Sequence, residues 1–395
     1  MIMSSGIAIS PDFHIGQVWG IGTFACVWVR HNLLEGIRNR LHAFFLQIGA
    51  AGARPFQKLY MKRGIFIYAA LLPLMCASCG TPKFMASFSP EESGLNLMKI
   101  TDETSMTIAG NKSISNSSQA FPNEGICATA EFRWGTDRVL DISPNGLELA
   151  YLSIINGQWN VMVRKSGTQG SATQRTFRNV GDFSWGHDGN LYFGDVADYK
   201  RVQISSTDAH VGSIMRQLTS NNTDSNPVLS NDGNKIYFTR IDKSGAFVWS
   251  YDLRNGALTS CCRGYNPSPV GEGCDEFICV RNSSFGTSEL WHVNYEKGQE
   301  TLILTDKNRG FTSPRVSPDG KWILCQGNSK SSISHKDNLD IFVVRIDGTG
   351  FIQLTYHPAD DCSPVWSPDG KYIYFVSSRA NENNAFNIWR MRFEL

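Results

Sequence analysis

The chain has 395 residues, 37 Lys and Arg against 36 Asp and Glu, 41% hydrophobic and 18% charged, which is the profile of a globular protein rather than a disordered or fibrous one. A net charge of +1, with no basic run longer than two residues, excludes the electrostatic footprint that nucleic-acid binding needs. Aromatic residues at 11% and 36 Gly favour strands and tight turns, so the chain reads as all-β.

Residues 1–60 carry Arg30, Arg38, Arg40, Arg54 and Lys58 against Asp12 and Glu35, with apolar patches but no sustained periodicity. They read as an upstream extension of the gene and are set apart from the fold, the other reading being a cytoplasmic or membrane-associated segment. Residues 61–78 have the layout of an export signal: Lys62 and Arg63, an apolar run from Gly64 to Met75, then small residues before Cys79. The run falls short of the roughly 20 residues that a membrane-spanning helix needs. The junction Ala77-Ser78-Cys79-Gly80 resembles a bacterial lipoprotein cleavage site, which implies that Cys79 becomes the acylated first residue. The usual Leu three positions earlier is Cys76 here, and Cys76 itself is the poorer alternative for lipidation. Removing residues 1–60 (net +3) and Lys62 with Arg63 (+2) lowers the net charge from +1 to −4, a mildly acidic mature protein. Residues 79–94 form a tether, and the polar stretch 102–137, including Asn111 to Gln119, is too hydrophilic to order itself.

From residue 138 onward the chain repeats itself. Ser317-Pro318-Asp319-Gly320 and Ser367-Pro368-Asp369-Gly370 are identical, and Ser143-Pro144-Asn145-Gly146, Gly186-His187-Asp188-Gly189 and Ser230-Asn231-Asp232-Gly233 are variants. A sixth, degenerate copy is Val270-Gly271-Glu272-Gly273. The closing glycines lie 43, 44, 40, 47 and 50 residues apart, the period of a four-stranded propeller blade. In each unit Pro presets the first corner of a turn, Asp or Asn caps it, and Gly supplies positive φ. An apolar strand follows, such as Lys235 to Thr239 or Tyr372 to Val376, and then a third strand rich in aromatic and β-branched residues, such as Phe247 to Leu253. A fourth strand is expected to end in an apolar residue and Thr, at Leu218-Thr219, Leu258-Thr259, Leu304-Thr305 and Leu354-Thr355. No such strand follows Asn387 to Phe393. An unpaired sheet edge is normally avoided, and residues 95–101 (Leu95 to Thr101) carry the same ending, so they are expected to supply the missing strand and close a six-bladed ring.

These units resemble the propeller repeats of the TolB family over about residues 138–395, most specifically at the two Ser-Pro-Asp-Gly-Lys turns, at Ser313-Pro314 and Ser363-Pro364 ahead of them, and in Tyr374 to Arg379 followed by Phe386 to Trp389. The resemblance implies a non-catalytic binding scaffold with envelope proteins as partners, a peptidoglycan-associated lipoprotein among them; together with the export signal and Cys79, the expectation is a monomer at the periplasmic face of the cell envelope, held to the membrane only by its lipid. The α/β domain that precedes the propeller in TolB has no counterpart in residues 80–137.

Catalytic motifs are sparse. No two histidines have metal-ligand spacing, and Gly-x-Ser-x-Gly is absent; no cofactor or metal is expected. Oligogalacturonate lyases also resemble this repeat family and hold a metal with His and Gln at the channel mouth, which makes His335, His357 and Gln353 candidates for an alternative enzymatic reading. Asn160, Glu289, Asp340 and Asn387, beside the third strands, could line the ring, although loop capping is the plainer use. Cys127, Cys261, Cys262, Cys274, Cys279, Cys325 and Cys362 leave an odd number of thiols beyond Cys79, and four of them crowd the degenerate repeat. Disulfides there and buried free thiols are both open readings.

Overall fold

A computed structural model describes Glu92, residues 94–102 and residues 138–394, apart from 168–169, 199–200, 211–213, 331–336 and 381–384. The chain divides into two units at Gly80, and all of these residues fall in the second. The extension 1–60, the signal 61–78, Cys79 and Cys127 lie outside the described residues.

All regular structure among the described residues is strand, in six four-stranded antiparallel sheets. Blade 1 comprises β2 (Leu140–Ile142), β3 (Glu148–Ile155), β4 (Gln158–Lys165) and β5 (Thr173–Gln174). Blade 2 comprises β6 (Val180–Trp185), β7 (Asn190–Asp198), β8 (Arg201–Asp208) and β9 (Met215–Gln217). Blade 3 holds β10 (Asp224–Leu229), β11 (Lys235–Asp242), β12 (Gly245–Asp252) and β13 (Leu258–Arg263). Blade 4 holds β14 (Tyr265–Pro269), β15 (Glu276–Asn282), β16 (Ser288–Asn294) and β17 (Gln299–Leu304). Blade 5 has β18 (Phe311–Val316), β19 (Trp322–Lys330), β20 (Asp337–Arg345) and β21 (Ile352–Gln353). Blade 6 has β22 (Asp361–Trp366), β23 (Tyr372–Ser377) and β24 (Asn387–Arg392), completed by β1 (Met98–Lys99). The first strands touch in the order β2, β6, β10, β14, β18, β22 and back to β2, which closes a six-bladed propeller.

Most of the middle strands bury both faces, because every blade is packed between two others, while β12 and β16 stay half-buried along one face. Phe277 to Val280 and Ile341 to Val344 are therefore wholly buried runs rather than the alternation of a half-exposed sheet. The first strands of blades 2 to 6 carry a bulge, whereas β2 of blade 1 pairs in unbroken register. Asn226, Asn266, Ser313 and Ser363 sit at the bulges of blades 3 to 6 at positive φ, each followed by Pro, and the register shifts across them.

Closure runs through the amino-terminal strand. Met98 pairs with Arg390 and Lys99 with Trp389. The regular strand is only two residues long, but its flanks continue the ladder: Arg392 N–H donates to Leu95 O at 2.9 Å and Ile100 N–H to Ile388 O at 2.8 Å. Thr101 finishes it with its side chain, its Oγ1 accepting from Ile388 N–H at 2.9 Å and donating to Asn387 Oδ1 at 2.9 Å.

The same device recurs where the outer strand is short. Thr176, Thr219 and Thr355 Oγ1 accept from Val161, Ile204 and Ile341 N–H at 2.8, 3.0 and 2.9 Å. Thr259 and Thr305 do not join them. Leu258-Thr259 opens β13 rather than ending it, and both threonines face solvent. Strands β13 and β17 have six residues each, with bulges, so backbone groups fill the pairing that a threonine completes elsewhere.

Candidate functional site: the six-bladed mouth

The repeated turns converge on one end of the ring. In four blades the turn is built alike: the serine hydroxyl accepts from the N–H five residues on at 2.9 Å, and donates to the Asn or Asp two residues on at 2.6–2.7 Å. Gly146, Gly189, Gly233, Gly320 and Gly370 close their turns with φ between 70° and 86°. The degenerate fourth turn departs from the expected position, since Gly271, not Gly273, takes the positive φ (69°). With no Ser-x-Asp pair to set the corner there, the left-handed residue sits two positions earlier. In blade 2, where Gly186 replaces the serine, Asp188 instead accepts from Tyr192 Oη at 2.6 Å and from Asn190 N–H at 3.1 Å.

Neighbouring turns abut. A Cβ on Gly146 would lie 3.4 Å from the Pro368 ring, and one on Gly233 would lie 3.2 Å from His187. Together they form the rim of a cavity of about 620 Å³ to which all six blades contribute. The rim carries Pro144, His187, Asn231, Glu272, Asp319 and Pro368; the floor carries Asp141, Val228, Ser268, Arg315 and Val365. Asp232, Asp369 and Asp188 belong to the turns without lining the cavity.

Two arginines cross beneath it. Arg315 on blade 5 reaches Asp141 on blade 1 at 3.5 Å, and Asp141 also accepts from Trp185 N–H at 2.9 Å. Deeper, the wholly buried Arg138 at the start of blade 1 donates to Pro267 O on blade 4, on the opposite side of the ring. The mouth is thus a cup with a charged floor. Its rim is acidic: the Ser317 hydroxyl bonded to Asp319 holds that carboxyl below its ordinary value, so it is ionised at neutral pH. None of Arg138, Asp141 and Arg315 is among the residues that the repeat pattern singles out, because each occupies a position filled differently in the other repeats.

The remaining candidates lie elsewhere. His335 is outside the described residues. His357 is buried, its Nδ1 accepting from Ala359 N–H at 3.0 Å, and Gln353 Nε2 donates to Asp340 Oδ2 at 3.1 Å and Thr355 O at 2.9 Å. Neither lines the cup. Asn160, Asp340 and Asn387 are buried beside the outer-strand threonines, whereas Glu289 accepts from Trp291 Nε1 at 2.8 Å. Among the described residues, no group of three His, Cys, Asp or Glu side chains is arranged to hold a metal ion.

A second charged cluster secures the closure between blades 5 and 6. Arg379, wholly buried, donates to Glu92 at 2.9 and 3.1 Å and to Asp361. Glu92 Oε1 also accepts from Tyr356 N–H at 2.7 Å. Burial and the nearby Asp361 and Glu92 push Asp340 up to about 8; burial, partly offset by Arg379, pushes Asp361 up to about 6.

No family model matches the chain. It is 25% identical over 154 residues to an uncharacterised protein of Agrobacterium fabrum, a match that covers 37% of the chain and 52% of that protein. It is 32% identical over 103 residues to a TolB homologue of Chlorobium luteolum, covering 25% of the chain and 23% of the homologue. The chain thus spans about half, or less, of these relatives' own length. Among solved structures, TolB from Acinetobacter baumannii superposes with a TM-score of 0.51 at 15% identity, over 64% of this chain and 65% of that one. An oligogalacturonate lyase from Vibrio parahaemolyticus superposes with a TM-score of 0.50 at 10% identity, over 78% and 96%. The chain is a TolB-like β-propeller, a likeness of fold that the lyase shares.

Proposed function

We propose that the protein is a non-catalytic envelope lipoprotein, anchored through Cys79 at the periplasmic face of the membrane, whose propeller binds a protein or polar ligand in the cup. The observation that carries this reading is the cup itself: about 620 Å³, lined by every blade, with four of its six turns held by a serine hydroxyl bonded to Asn or Asp. That volume suits a small ligand or an inserted peptide segment, and a rigid scaffold presenting loops is the usual setting for recognition. The sequence likeness to a TolB homologue supports an envelope partner, a peptidoglycan-associated lipoprotein being one such candidate. The lyase reading is less favoured because His357 and Gln353 are engaged away from the mouth.

An affinity capture from envelope extract tests this, with the intact protein beside a variant carrying Glu272→Ala and Asp319→Ala on the rim. The reading expects a partner retained by the intact protein and lost by the variant. Unsaturated products released from oligogalacturonate by the intact protein would overturn it in favour of the lyase.

A further inference from the structure

Four cysteines crowd the seam between blades 3 and 4, and the fold distinguishes among them. On β13 the register shifts between Cys262, opposite Val248, and Ser260, opposite Trp249, leaving Cys261 as the extra residue of a bulge. A bulge turns successive side chains towards one side, and both Cys261 and Cys262 pack into the interblade cluster that contains Cys279. Blade 3 comes very close to blade 4 here. Gly264, just past β13, has φ of 140°, and a Cβ on it would sit 3.0 Å from Cys279 Sγ. Cys262 and Cys279 meet in that cluster across the seam, and beside them lies Arg281, which donates to Arg263 O at 2.8 Å and to Glu300 at 2.7 and 2.8 Å. Cys261 instead points its sulfur at Thr259 O, and Cys274 bonds to Asp275.

We propose that Cys262 and Cys279 are a redox-active pair that closes to a disulfide joining blade 3 to blade 4. Hydrogen bonding from Cys279, with the Arg281 guanidinium beside it, holds the Cys262 thiol below its ordinary value, while the wholly buried Cys279 is raised. Cys262 is therefore the attacking thiolate and Cys279 the resolving thiol. The oxidant is a disulfide donor, either a small-molecule disulfide or an oxidoreductase. Cys262 attacks one donor sulfur and releases the other as a thiol. Cys279 then gives up its proton, attacks the Cys262 sulfur of the mixed disulfide and expels the second donor thiol. The two protein thiols lose two electrons and two protons in all, and the donor disulfide gains them.

The test equilibrates the full chain with oxidised glutathione, alkylates the remaining thiols and maps the peptides without reduction. Trypsin alone leaves Cys261 with Cys262 and Cys274 with Cys279, so a second cut at Asp275 or Glu276 and the serine variants are needed. The cross-link should persist in Cys261→Ser and Cys274→Ser and vanish in Cys262→Ser. Cys279→Ser should accumulate glutathione on Cys262. Arg281→Gln should slow alkylation of Cys262 near neutral pH, because a smaller fraction of it is thiolate. A link through Cys261 or Cys274 in the unmodified protein would overturn the pairing, as would Cys262 and Cys279 both still open to alkylation after oxidation and unfolding.

Discussion

Replacing Thr101 by Val asks whether the amino-terminal segment is as much a part of blade 6 as an outer strand is of its own blade. The substitution keeps the volume and removes one hydroxyl, which accepts from Ile388 N–H and donates to Asn387 at 2.9 Å each, in a residue only 1% exposed. A buried donor left without its acceptor costs about 1–3 kcal/mol, and the weakened carboxamide adds to this, so the loss should be about 2–4 kcal/mol. Blade 5 supplies the control. Thr355 makes the same two bonds, to Ile341 N–H at 2.9 Å and to Asp340 at 3.1 Å, within one covalently continuous blade. Chemical denaturation of Thr101→Val and Thr355→Val should show midpoints lowered to a similar extent with unchanged slope. If Thr355→Val is destabilised while Thr101→Val unfolds like the parent, the segment is an accessory to a ring that closes without it.

Other consequences follow from the turns, the carboxylates and the amino terminus. Gly320→Ala, in a left-handed turn, should cost about 1–2 kcal/mol, whereas Gly273→Ala should stay within about 0.5 kcal/mol; equal thermal shifts would contradict the displaced fourth turn. Asp340 and Asp361 have raised pKa values when folded, so the native state holds more protons than the unfolded chain above the ordinary carboxyl range. Their contribution should fall as pH rises from about 4 to about 8. Asp340→Asn should flatten the upper part of that slope, and denaturation midpoints with identical pH profiles for parent and variant would refute it. Arg379→Met strands two buried carboxylates and should lose about 3–5 kcal/mol at neutral pH, with a wild-type melting curve as the contrary result. Mass spectrometry of the cellular protein should find an acylated Cys79 at the amino terminus, and peptides from residues 1–60 would count against that processing.

The blades were legible because their turns are chemically demanding: Pro, Asp and Gly at fixed offsets have few other uses. The closing strand was legible from the ending that Thr101 shares with Thr219 and Thr355, since a buried hydroxyl serving a backbone N–H restricts the residue types that fit. The same signal misled at Thr259 and Thr305, where longer outer strands leave the threonine no unpaired group to serve. It also missed Thr176, preceded by Arg175 rather than an apolar residue. The cup's floor was invisible for a different reason. Arg315 and Asp141 face each other only because blades 5 and 1 converge on the axis, 174 residues apart in the chain, and no local pattern encodes that encounter. Glu92 likewise looks like one polar residue of a tether until Arg379 is placed against it.

The offset between chain order and ring order bears on how the molecule is made. Blades 1 to 5 are each assembled from consecutive strands, so their hairpins can form as the polypeptide is synthesised. Blade 6 joins groups 286 residues apart, from Thr101 to Asn387, and such distant pairing is slow because a long loop must close before any contact rewards it. Until β22 emerges β2 has no neighbour to lean on across the gap, and until β24 emerges β1 has no partner, so a nascent or prematurely ended chain exposes unpaired edges on both sides of it. Those edges are where such a chain would aggregate, and the final docking of β1 is the step that would set the rate of maturation.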